Sequence, residues 1–277
     1  FVTGATPEAA AAFVDRIAET VGGERTVAGN FVDNLGPNTQ GGEDNFSRQR
    51  GSFFIPVYGE RLGLASIIHG TKGFTDERLD SMNGAGVLHF GGHGLPDRIV
   101  DGLDGRRAKT LQLSTSIVFN GACYTSVVQL WFEQCTANVT VQERTVAADE
   151  CFCLNLLEND VVAYLAALHP DHGIPVYQEM EYLAYTGAPL GDVMRHTHNG
   201  VIVANGGALP QLTPFANDMP SPAWTPGDVM LKGTAARVLF GDPSLTVGDA
   251  FTAAPFKISS AARGADELRI TAVLAHA

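Results

Sequence analysis

Residues 86–94 read GVLHFGGHG and residues 116–123 read SIVFNGAC. Each is a short apolar run that stops at glycine and one reactive side chain, His93 in the first and Cys123 in the second. A brief apolar run bounded by turn residues reads as a strand buried on both faces of a parallel sheet. In an open parallel sheet, function gathers beyond the carboxyl ends of the strands. As neighbours, these two strands would release His93 and Cys123 side by side. A thiolate beside an imidazole is a nucleophile with its base. The backbone N–H groups of Gly94 and Cys123 are then donors for a developing oxyanion, and Gly121 allows the turn before the thiol. A cysteine alone is ordinarily inert packing, and a lone histidine near glycines is ordinarily structural. Their joint occurrence at two strand exits carries the argument.

Outward from these strands, helices and strands alternate. TPEAAAAFVDRIAETVGG (6–23) is a helix, with Thr6 as N-cap, Pro7 in its first turn and Gly22 as its stop. Phe13, Ile17 and Val21 share one face, with Ala10 and Val14 beside them. RTVAG (25–29) reads as a short strand, and FVDNLGPNTQGGEDNFS (31–47) as a loop rich in Asn, Asp, Gly and Pro. LASII (64–68) is a buried strand, TDERLDSM (75–82) a short helix, and 94–112 a polar loop. VVQLWFEQ (127–134) and DECFCLNLLEN (149–159) read as helical. DVVAYLAAL (160–168) is the most apolar strand, followed by helices over VYQEMEYLAYTG (176–187) and from Leu190. ARVLFGDPSL (236–245) is a strand ending in a turn. The sum is an α/β fold whose mainly parallel sheet is covered by helices on both faces. After Pro255 the pattern changes, and ELRITAVLA (267–275) looks antiparallel.

Composition narrows the function. The 277 residues suit one large α/β domain or one and a half ordinary ones, and 45% hydrophobic with 17% charged residues is ordinary for a globular chain. The net charge of −12 argues against nucleic acid and against anionic membrane surfaces. The longest apolar stretches fall far short of the roughly 20 residues a membrane span needs. Four cysteines do not make a disulfide scaffold, although a bridge from Cys135 to Cys151 or Cys153 is left open. The first residue is Phe1 rather than Met, as expected of a processed or trimmed chain.

The order of the reactive residues argues against two common nucleophile folds. α/β-Hydrolases place the nucleophile in G-x-nucleophile-x-G with the histidine after it, and papain-like enzymes also place Cys before His. Here His93 comes first, and Gly121-Ala122-Cys123-Tyr124-Thr125 lacks the second glycine.

His-Gly followed by a second apolar strand ending in Ala-Cys resembles the caspase-like clan of cysteine peptidases, in its gingipain-like branch. VLHFGGHGLPDRI is similar to the clan's histidine block and SIVFNGACYTS to its cysteine block. TPEAAAAFVDRI resembles the opening helix. NDVVAYLAALHP, VYQEMEYL and PLGDVMRHTHN resemble the strand–helix–helix stretch after the cysteine, and VLFGDPSLTV the closing element. The resemblance covers residues 1–250 and implies a three-layer sandwich with a sheet of about six strands. It implies Cys123 as nucleophile, His93 as proton shuttle, and Gly94 with Cys123 as oxyanion donors. Residues 251–277 then form a tail, the start of a β-sandwich domain. The resemblance leans towards a secreted or periplasmic setting. Some members set an acidic residue behind the histidine, a place open to Glu43 or Asp44.

The expected activity is peptide-bond hydrolysis through an acyl-enzyme on Cys123, with a protein or peptide as substrate. In this clan the first pocket usually reads a charged side chain, and a basic one needs carboxylates. Asp44, Glu43, Asp171 and Glu179 are the candidates, which favours cleavage after Arg or Lys. No cofactor is required by this chemistry. Oxygen-rich 31–47 leaves room for a structural calcium ion, without an EF-hand pattern. His169-x-x-His172 and His196-x-His198 lack the spacing of a zinc set. The rivals are a caspase-like scaffold or binding module without activity, and a protease that waits for a partner or self-cleavage to order loops such as 204–228.

Overall fold

Val87, Leu88 and Phe90 are fully buried, as are Ile117, Val118 and Phe119. The two runs are therefore central strands, β3 (Ala85–Gly91) and β7 (Ser116–Asn120), and they pair in parallel. The computed structural model describes residues 1–35, 54–69, 74–99, 102–135, 140–169, 174–204, 231, 233–247, 256–263 and 268–274. Within these, β1 (Asn30–Leu35), β2 (Ala65–His69), β10 (Val161–Ala167) and β11 (Arg237–Gly241) complete a six-stranded sheet of order β11-β10-β7-β3-β1-β2. Every pairing in it is parallel except β10 with β11.

Helices lie on both faces, as two adjacent residues of β3 show. Phe90 meets Phe152 of α5 (Phe152–Leu157), ring centroids 5.9 Å apart. His89 meets Tyr177 of α6 (Ile174–Thr186) at 5.1 Å. Successive strand residues point to opposite faces, so α5 and α6 sit on opposite sides of the sheet. α1 (Pro7–Val21) packs beside α5 on β10, and α7 (Leu190–Ala204) packs on α6. The expected three-layer α/β sandwich is the observed architecture.

Local chemistry explains α1. Thr6 caps it by accepting from the Ala9 N–H at 3.2 Å, and Pro7 needs no donor at that end. The left-handed residue after it is Gly23, at φ 81°. Its apolar face is shorter than the periodicity predicts. Phe13 and Ile17 are buried, but Val14 and Val21 are exposed at 45% and 52%.

Several segments differ from expectation. Residues 25–29 are not a strand, whereas the start of the expected loop, 31–35, belongs to the interior strand β1 (Asn30–Leu35). Residues 127–134 are not helical: β8 (Leu130–Cys135) pairs antiparallel with β9 (Thr140–Thr145). The polar stretch 94–112 holds a small antiparallel sheet of β4 (Gly94–Leu95), β5 (Arg98–Ile99) and β6 (Leu103–Asp104), followed by α4 (Gly105–Ala108). β2 is an edge strand with partly exposed residues rather than a buried one. The open disulfide question resolves at Cys151 and Cys153, which are buried thiols. Residues 267–275 were expected to be antiparallel, and β13 (Leu268–Leu274) does pair antiparallel, with β12 (Phe256–Arg263).

Candidate active site

The register of β3 against β7 sets the site. Phe90 pairs with Asn120 as the last matched residues, and the Gly121 N–H extends the ladder by donating to the Phe90 carbonyl at 2.7 Å. His93 lies three residues beyond Phe90, and Cys123 three residues beyond Asn120. Both therefore follow the carboxyl ends of neighbouring strands at the same sequence offset. His93 is exposed and Cys123 half-buried, so the imidazole and thiol meet solvent at this edge. Gly92, at φ 119°, turns the chain into His93 in a conformation that side chains rarely adopt.

Gly94 joins the two exits physically. A Cβ on it would lie 2.5 Å from the Cys123 carbonyl oxygen and 2.8 Å from Ala122 Cβ and Thr125 Cγ2. Only a residue without a side chain lets the histidine loop approach the cysteine turn this closely. The oxyanion candidates Gly94 and Cys123 thus belong to two backbones in contact.

The turn after β7 is strained and heavily tied. Tyr124 has φ 61°, a left-handed conformation that costs a non-glycine residue about 1–3 kcal/mol. Its ring packs against Trp131 at 4.9 Å and His169 at 6.2 Å. On one face of the sheet, Asn120 Oδ1 accepts from the Ala122 N–H at 2.8 Å. On the other, Arg237 donates to the Asn120 carbonyl at 2.9 Å.

Arg237 also decides the place of Glu179. The guanidinium grips both carboxylate oxygens, at 2.5 and 2.7 Å, with both side chains essentially excluded from solvent. Glu179 therefore braces the end of β7 and does not stand as an open carboxylate for a substrate cation. Glu43, Asp44 and Asp171 lie outside the described residues, as do His172 and 36–47 of the oxygen-rich stretch. His196 stacks on Tyr182 at 3.8 Å, while His198 bonds the Thr234 carbonyl at 2.8 Å, so the two face different partners. Among the described residues no three His, Cys, Asp or Glu gather as metal ligands. Nor is any helix among them long and apolar enough to cross a membrane.

Sequence reasoning missed a second histidine. His89 Nδ1 lies 2.5 Å from Asp33 Oδ1, and both side chains are wholly buried. The pair follows from register, since Asp33 stands opposite His89 where β1 meets β3. Asn34, the next residue of β1, accepts from Arg78 Nε at 3.2 Å. Burial lowers the Arg78 guanidinium to about 10, against the pull of Asp33, so it stays charged at neutral pH and offsets that carboxylate. A histidine in the middle of an otherwise apolar strand was the available signal.

A mainly parallel six-stranded sheet with helices on both faces is a caspase-like fold. Two solved structures share it. One is a protease, with a TM-score of 0.56 and 13% identity over 94% of this chain and 57% of its own. The other is gingipain R, an Arg-specific cysteine proteinase, with a TM-score of 0.50 and 14% identity over 85% of this chain and 52% of its own. The chain spans a little over half the length of each. No family model and no curated protein matches it.

Proposed function

We propose that this chain is a cysteine endopeptidase. Cys123 attacks the scissile carbonyl and forms a thioester acyl-enzyme, which water then hydrolyses. His93 takes the thiol proton and delivers it to the leaving amine. The N–H groups of Gly94 and Cys123 receive the carbonyl oxygen as it gains charge. The observation that carries this reading is the equal offset of His93 and Cys123 from the Phe90–Asn120 register pair, with Gly94 against the cysteine turn. The chemistry needs no cofactor.

We further propose cleavage after Arg or Lys. The net charge of −12 suits a cationic substrate, and gingipain R, which shares the fold, is Arg-specific. With Glu179 committed to Arg237, the recognising carboxylate falls to Asp44, Glu43 or Asp171. A panel of fluorogenic peptides differing only in the residue before the cut tests this. Cleavage confined to Arg and Lys, and absent from Cys123→Ala, is the expected result. Cleavage only after Asp reverses the specificity, and activity that survives Cys123→Ala ends the reading.

A further inference from the structure

Tyr164 sits in the middle of β10 with no exposed surface. For packing alone a phenylalanine would serve, because a buried hydroxyl must recover the hydrogen bonds it loses with water. Both bonds of this hydroxyl go to one place. It donates to the Thr125 carbonyl at 2.8 Å and accepts from Asn120 Nδ2 at 3.0 Å. Asn120 precedes Cys123 by three residues and Thr125 follows it by two. The phenol therefore ties together the two ends of the turn that presents the thiol. The other oxygen of this link is also used, since Asn120 Oδ1 holds the Ala122 N–H. Inside the turn, Thr125 Oγ1 donates to the Ala122 carbonyl at 2.8 Å. Burial raises the Tyr164 pKa well above its ordinary value, which keeps the proton on the phenol at any working pH.

We infer that Tyr164, acting through Asn120, is a positioning residue: its hydroxyl holds the Asn120–Thr125 turn in the conformation that aims the Cys123 N–H and thiol. A turn with a left-handed Tyr124 persists only when its surroundings over-determine it. From β10, the phenol reaches both ends of this turn at once. Its catalytic consequence rests on the reading of Cys123 as nucleophile, whereas its hold on the turn does not.

The test is Tyr164→Phe in the full chain, which removes one oxygen and keeps the ring. Amide exchange is followed across 116–127, and kcat and KM are measured with the peptide that wild type cuts best. Exchange at Ala122 and Cys123 should quicken about tenfold, with β7 amides unchanged. A misaimed donor should lower kcat by roughly 10- to 100-fold with KM within about threefold. A folded variant with a lower Tm and undiminished kcat makes the hydroxyl merely structural and overturns the inference. Unchanged exchange at Ala122 overturns it whatever the activity. If wild type cuts no peptide, the peptidase reading fails, and amide exchange alone decides the hold on the turn. Should Tyr164→Phe not fold, Asn120→Asp takes its place, since it keeps an oxygen for the Ala122 N–H and removes the donor to the phenol, and the same two outcomes apply.

Discussion

Gly94 is the residue on which the two halves of the site depend. Any side chain there must displace the backbone of Cys123, because a Cβ would stand 2.5 Å from its carbonyl oxygen. Gly94→Ala should therefore lower kcat/KM by about 100-fold or more through misplacement of the turn. The overpacking should cost about 1–3 kcal/mol of stability. Steady-state kinetics with a thermal melt checks both, and wild-type activity in Gly94→Ala would mean that the two loops do not meet. The placement of His93 and Cys123 beyond two paired strands was legible because each ended an apolar run at glycine. Glu179 was legible only as a carboxylate. Nothing in its neighbourhood of sequence announces Arg237, 58 residues away, whose guanidinium commits it.

At the scale of elements, the buried ion pair joins α6 to β11 and, through the Asn120 carbonyl, to the end of β7. Removing one charge strands the other in the interior. Glu179→Gln should thus cost about 3–5 kcal/mol, seen as a drop in Tm of roughly 10 °C. The double change Glu179→Leu with Arg237→Met should recover most of that loss, since an apolar replacement leaves no orphaned charge. A single variant as stable as wild type would show that the pair contributes nothing. Elements whose pattern is mainly apolar, β3, β7 and β10, were plain in the sequence. β1 was not, because Asp33 and Asn34 make it look like a loop until His89 and Arg78 supply their partners across space. β8 was mistaken for a helix because a short run with Trp131 and Phe132 fits either period, and its pairing with β9 decides.

The whole molecule carries reduced thiols in its core, and this gives its stability a pH dependence. Burial raises the Cys151 thiol, and raises the Cys153 thiol much further. The unfolded chain releases these protons from about pH 8.5 upward, while the folded state still holds them. The unfolded state then binds fewer protons, so stability falls as pH rises through that window. Tyr164 extends the fall above about pH 10. Thermal melts between neutral and alkaline pH should show this decline, and Cys153→Ala should flatten it. An equally steep decline in that variant would assign it elsewhere. The same burial distinguishes the cysteines chemically, because Cys123 alone among these three is partly exposed.

That difference supplies the most direct test of the central claim, that Cys123 at the exit of β7 is an activated nucleophile served by His93. The native protein is treated with a peptidyl acyloxymethyl ketone carrying Arg next to its reactive group, and the modified residue is located by peptide mass mapping. One adduct is expected, on Cys123. Labelling should be slowed by about 100-fold in His93→Ala and absent after denaturation. Labelling of Cys151 or Cys153 in the native protein, or labelling of Cys123 that is as fast without His93, would contradict it.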